Sequence, residues 1–139
     1  MSVESFVDTN VLIYAAAGRV DESEKYEAAW AVLDEAKFGL SGQVLAEFYV
    51  NVLKKPRVPL QPLEAARWVD KLSTVPVVGV DANLVREAIR HSVRYQISYW
   101  DAALIAAAER LDAPVLYTED LNHGQTYGSV RVVNPFLAV

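Results

Sequence analysis

Apolar and polar positions switch between two periods along this chain, and the switches mark its elements. Val3 to Val7 is a short β-type run. The polar triplet Asp8-Thr9-Asn10 separates it from an apolar stretch, Val11 to Ala17, that predicts a helix ending at Gly18. Asp21 to Lys37 has a helical period, with Tyr26, Trp30 and Leu33 on one face. Phe38 to Leu40 reads as a strand. Ser41 then caps a helix over Gln43 to Lys54, which stops before Pro56 and Pro59. Pro62 suits the first turn of a helix running to Leu72. The β-branched run Val75 to Val80 predicts a strand. Asp81 caps a helix over Asn83 to Tyr95, and Ser98 caps one that runs to Leu111. Pro114 to Tyr117 reads as a buried strand, Thr118 to Ser129 as a polar loop, and Val130 to Val133 as a last strand stopped by Asn134-Pro135.

Strands that alternate with helical segments build a parallel sheet covered by helices. No repeat, low-complexity tract or linker interrupts the pattern, so residues 1–139 are expected to form a single α/β domain. In open sheets of this kind ligands bind beyond the carboxyl ends of the strands, which directs attention to the residues just after each one.

Composition changes this picture little. Apolar residues make up 53% of the chain and charged residues 22%, which suits a packed core and not a disordered segment. The absence of cysteine excludes disulfides, thiolate metal sites and cysteine nucleophiles, and it fits a reducing cytoplasm. No apolar run is long enough to span a membrane. The start, Met-Ser-Val-Glu-Ser-Phe-Val-Asp, lacks the basic and apolar regions of a signal peptide, so the expectation is a cytoplasmic protein with no membrane partner. The net charge of −5 argues against a nucleic-acid partner. Cations bound at a cluster of acids would reverse that sign locally.

The acids after the strands carry the candidate chemistry. Asp8 is open to two readings, an N-cap of the first helix or a group at the crevice; Thr9 and Asn10 offer other caps, which would release it. Asp101 shares a helical face with Leu104, Ile105, Ala108 and Leu111, so it points inward, where an unpartnered carboxylate is costly; a capping box with Ser98 is the competing reading. Glu47 falls with Gln43, Asn51 and Lys54 opposite the apolar face of Val44, Leu45, Phe48, Tyr49 and Val52, as a solvated stripe or a polar wall. Glu119 and Asp120 follow a strand and suit either a site or a turn. His91 is expected on the surface and His123 in a surface loop. Lys54, Lys55 and Arg57 form the one tight basic group, a solvated helix end or a phosphate contact.

Asp8-Thr9-Asn10, a helical Glu47, Trp100-Asp101-Ala102 and Thr118-Glu119-Asp120 occur in this order, and together they resemble the PIN-domain ribonucleases, in particular the toxins of VapBC toxin–antitoxin pairs. The resemblance spans the whole chain. It implies a three-layer α/β/α sandwich on a central parallel sheet of four to five strands. It also implies a metal-dependent endoribonuclease with an acidic quartet that binds Mg²⁺ or Mn²⁺. Carried over, the quartet is Asp8, Glu47, Asp101 and Asp120, with Glu119 as the alternative fourth acid and Thr9 and Thr118 as hydroxyls that organise the site. Implied partners are RNA as substrate, a cognate antitoxin that occludes the site, and a second copy in a homodimer. Tyr26, Trp30, Phe48 and Tyr49 could serve contacts between copies or, more simply, the core. Hard cations prefer carboxylate oxygen and water, so Asp8 and Asp101 are expected to touch metal directly, and Glu47 and Asp120 through water or as orienters of the nucleophile. A degenerate PIN-like module that binds RNA or protein without catalysis is the competing reading, disfavoured because all four acidic positions are filled. A phosphotransfer receiver would want a lysine after its last strands, and none stands at Val132 to Pro135.

Overall fold

The computed structural model describes residues 3–35 and 37–138; Ala36, within the helix expected over Asp21 to Lys37, and the outermost residues of the expected domain lie outside them. Along the chain run β1 (Ser5–Val7), α1 (Thr9–Ala17), α2 (Ser23–Glu35), β2 (Phe38–Ser41), α3 (Gly42–Val52), α4 (Pro62–Leu72), β3 (Val77–Val78), α5 (Ala82–Tyr95), α6 (Tyr99–Arg110), β4 (Val115–Tyr117), β5 (Thr126–Tyr127) and β6 (Val130–Val133). The strands form one sheet in the order β3-β2-β1-β4-β6-β5, parallel except for β5.

This order explains the layers. From β1 the chain steps outward to β2 and then β3, and it returns past β1 to β4. Parallel crossovers are right-handed, so reversing the direction of travel moves the connecting helices to the other face of the sheet. The helices group accordingly: α1 packs on α2 and α3, and α3 on α4, while α5 and α6 pack on each other. The α/β/α architecture is thus the expected one. The reversal falls between β1 and β4, and the crevice at such a switch point is where open sheets bind ligands.

Local signals set most boundaries. Ser41, Asp81 and Ser98 each accept a backbone N–H three residues on, from Val44, Leu84 and Asp101. Pro62 opens α4, where its missing N–H has no partner to lose. The core fills both sides of β1, with Phe6, Val7, Leu12, Leu40, Phe48, Ile105 and Leu116 fully buried. Residues Ala102 to Ala108 of α6 are all buried, and the five alanines among them let this helix lie close against the sheet. Phe48 is fully buried and Trp30 packs on Trp68, so both contribute to the core.

Three features depart from the pattern. The expected loop from Thr118 to Ser129 contains β5, paired antiparallel with β6 across a turn at Gly128, whose φ of +60° suits glycine; the sheet therefore has six strands. A two-residue strand is too short to show alternation. The run Val75 to Val80 keeps only Val77–Val78 in strand form, at the sheet edge with Val80 exposed. His91 is not a surface residue. It lies half-buried with its ring against the Glu109 carboxylate and stacked on Tyr95. Among the described residues no helix is long and apolar enough to cross a membrane.

Candidate active site

Strand register brings the first two functional groups together. Val7 pairs with Tyr117 across β1 and β4, so the next residues, Asp8 and Thr118, leave the sheet side by side, and the Asp8 N–H donates to the Tyr117 carbonyl at 3.0 Å. Asp8 is 4% exposed. Its Oδ1 accepts the Thr9 N–H at 2.7 Å, and its Oδ2 accepts the Thr118 hydroxyl at 2.8 Å and the Asn10 amide at 3.1 Å. The cap of α1 is therefore Asp8 itself and neither Thr9 nor Asn10. Capping occupies one carboxylate oxygen, and the other faces the polar cluster, so the two readings of this residue hold together.

Burial pushes the Asp8 carboxyl up to about 6, against the lowering pull of the Thr118 and Thr9 hydrogen bonds, and the charges of Asp120 and Glu47 add to the rise. Asp101, half-buried in the first turn of α6, is raised mainly by burial and also by Asp120, against a lowering hydrogen bond to Ser98. Its backbone N–H donates to the Ser98 hydroxyl, so the serine caps this helix while the carboxylate stands at the crevice. Glu47 projects from α3, half-buried, and with Gln43 and Asn51 it walls the crevice; the solvated stripe is in fact its lining.

The last acids separate. The Asp120 N–H donates back to the Thr118 hydroxyl at 3.1 Å, which folds the chain so that Asp120 Oδ2 accepts from Asn10 at 3.2 Å. Glu119 turns the other way. It accepts the Tyr14 hydroxyl at 3.0 Å and lies 3.5 Å from Lys25 Nζ, which sits over the Tyr14 ring. Glu119 is thus neutralised by a structural partner, whereas Asp120 adds charge to the cluster. Glu119→Gln is expected to leave activity within about threefold, and Asp120→Asn to lower it about tenfold or more, as outer-sphere changes at metal sites do. Cleavage rates of the two purified variants check the assignment.

Thr9 meets Asp8 through its backbone N–H alone, and its hydroxyl bonds no acid. Its hydroxyl donates to the Val44 carbonyl at 3.3 Å and ties α1 to α3, three residues before Glu47. Asn10 is the residue that sequence reasoning missed. Its amide reaches Asp8, Asp120 and the Thr118 hydroxyl, the last at 3.4 Å, while its buried Oδ1 has no partner. The polar triplet after β1 is the available signal, but in the sequence alone a helix cap accounts for it. His123 is exposed and accepts the Asn134 N–H, pinning the loop after β4.

Asp8, Glu47, Asp101 and Asp120 come from four separate parts of the chain and line one hollow of about 240 Å³, together with Gln43, Trp100 and Leu104. Asp8, Glu47 and Asp120, with Glu119, also line a second hollow of about 390 Å³ that extends along α1 to Asp21, Lys55 and Arg57. Among the described residues no three acidic or imidazole side chains stand close enough to enclose an ion unaided. The donor set nevertheless suits Mg²⁺ or Mn²⁺. It is all carboxylate oxygen, it includes the buried Asp8, and Mg²⁺ is typically held by one or two carboxylates with water completing its shell.

No curated protein sequence matches the chain. Solved structures do. A toxin–antitoxin complex from Klebsiella pneumoniae superposes with a TM-score of 0.68 at 19% identity, covering 95% of this chain and 98% of that one. VapC20 of Mycobacterium tuberculosis, a toxin that cleaves the sarcin–ricin loop, gives 0.66 at 22% identity, covering 84% and 91%. DNA-bound VapBC from Salmonella typhimurium gives 0.62 at 17% identity, covering 95% and 97%. At these identities the likeness speaks for the fold alone. The PIN domain model matches residues 5–128, nearly the full length, and the chain belongs to the PIN domain family.

Proposed function

We propose that this protein is a metal-dependent endoribonuclease and the toxin of a toxin–antitoxin pair. The observation that carries the reading is the hollow shared by Asp8, Glu47, Asp101 and Asp120. Four carboxylates gathered without cations repel one another; the Asp8 and Asp101 carboxyls are raised first by burial and to a smaller degree by this repulsion. Such a cluster makes physical sense as a receptor for divalent metal. When bound, the metal supplies a Lewis acid for the phosphoryl oxygen and a water of lowered pKa.

The chain's own groups would divide the work. Asp8, fixed by three hydrogen bonds, and Asp101, fixed on a capped helix, would hold the metal directly. Glu47 and Asp120 would orient water for attack on phosphorus. Thr118 and Asn10 would hold Asp8 and Asp120 in place. Lys55, on the rim of the larger hollow, would meet a backbone phosphate of the substrate, and cations bound at the acids would offset the net charge of −5 locally. The toxin role, and an antitoxin that covers the hollow, draw support from the structural neighbours, one of them a toxin–antitoxin complex.

The test is cleavage of a mixed RNA pool by the purified protein with Mg²⁺ or Mn²⁺ added, and again with chelator. Internal cleavage that requires metal supports the proposal. Cleavage that survives chelation overturns its metal dependence, and RNA binding without any cleavage favours the binding-module reading.

A further inference from the structure

Trp100 is 61% exposed, and every other phenylalanine, tyrosine and tryptophan among the described residues is buried or half-buried. An indole left in water forgoes the stabilisation that burying an aromatic ring provides. Its position is specific: it precedes Asp101 and lines the hollow shared by all four acids. The ring is braced edge-on by Tyr99, with centroids 5.1 Å apart and planes at 81°, and the helix beneath is anchored by the buried run Ala102 to Ala108. It therefore offers a flat, rigid, apolar face beside a site built for a phosphate. On the far side of the acids, the larger hollow leads to Lys55 and to Arg57, the latter paired with Asp21 at 3.3 Å. A strand lying across the acids would meet the Lys55 ammonium on one side and an aromatic plate on the other.

We propose that Trp100 is a stacking platform for an unpaired nucleobase flanking the phosphate to be cleaved. The proposal rests on the nuclease reading and makes this tryptophan a substrate-positioning residue. Bases in a duplex are already stacked on their neighbours and offer no free face, whereas an unpaired base can be splayed onto an aromatic side chain. Every base has such a face, so the contact favours unpaired RNA without selecting its sequence.

The test compares wild type with Trp100→Phe, Trp100→Leu and Trp100→Ala. Each is titrated, with chelator present to prevent cleavage, with a fluorescently labelled pool of short random-sequence single-stranded RNA and with an RNA duplex. Trp100→Ala and Trp100→Leu are expected to bind the single strand about tenfold more weakly, and Trp100→Phe within about threefold of wild type. Duplex binding should be the same in all four proteins, and thermal melts should be unchanged because the side chain is exposed. In cleavage assays KM should rise more than kcat falls. On oligonucleotides with an abasic site scanned along the strand, the site beside the cut should reproduce the loss, and Trp100→Ala should add nothing to it. A Trp100→Leu protein that binds like wild type would overturn stacking and leave a protein contact as the use of this side chain. Wild-type protein that binds as expected but never cleaves would overturn the nuclease reading and leave the stacking result standing.

Discussion

Asp8→Asn and Asp101→Asn are each expected to reduce metal-dependent RNA cleavage by about a thousandfold or more, with the fold intact. Direct carboxylate ligands support transition-state charge stabilisation worth several kcal/mol, and each 1.36 kcal/mol is tenfold in rate. Asparagine keeps the size of the side chain but presents one oxygen in place of two and carries no charge. At position 8 the surviving oxygen can still accept the Thr9 N–H, so α1 keeps its cap, while the edge that faces Thr118 and Asn10 becomes an amide NH₂. At position 101 the cap belongs to Ser98, and the helix does not depend on the carboxylate. Far-ultraviolet circular dichroism should match wild type for both variants while cleavage is lost. If either variant cleaves at the wild-type rate with a native spectrum, its place in the site is wrong. If the variant unfolds, its carboxylate is structural.

How far the site could be read from the chain depended on whether the signal was local. Asp8 and Asp101 were legible because each stands beside a strong local marker, a strand end for one and an apolar helical face for the other. Glu47 was ambiguous because a helical wheel reports which side of α3 is polar but not that α1 and α6 flank it; the wall of the crevice and a solvated face have the same pattern. Glu119 and Asp120 are adjacent acids of the same chemistry. What separates them is the bond from the Asp120 N–H to the Thr118 hydroxyl and a Tyr14–Lys25 pair contributed by two other helices. Neither is visible until the chain is folded. Asn10 was overlooked for a similar reason, since its role is to bridge Asp8 to a residue more than a hundred positions away. The fold was more transparent because strands and helices alternate cleanly and Ser41, Asp81 and Ser98 mark helix starts. The exception, β5, is held by its pairing with β6 and by Gly128, not by any pattern of its own.

In metal-free buffer, the stability of the protein is expected to fall as the pH is raised from about 4 to about 7, and divalent metal should reverse the loss. The Asp8 carboxyl stands at about 6 in the folded protein against an ordinary value of 3.8. Between those values the unfolded chain has released this proton and the folded chain still holds it, so stability falls with rising pH. The contribution is fully present below the ordinary value and is lost as pH rises through about 6; its size is about 3 kcal/mol. Asp101, also raised, acts in the same direction. Asp81 acts the opposite way: its lowered carboxyl, held first by the Leu84 N–H and then by Arg110, adds stability above its ordinary value that is lost on acidification. Asp81 is fully exposed to screening, so the Asp8 effect should dominate between about pH 4 and 6. A cation in the hollow favours the ionised carboxylates, so Mn²⁺ should raise the urea midpoint strongly at about pH 7 and weakly at about pH 5. Asp8→Asn should flatten the pH dependence and remove most of the response to Mn²⁺. A wild-type midpoint that rises steadily over this range without metal, or an Asp8→Asn protein that still tracks wild type at each pH, would show that Asp8 does not carry the buried charge from which the site's affinity for metal is argued.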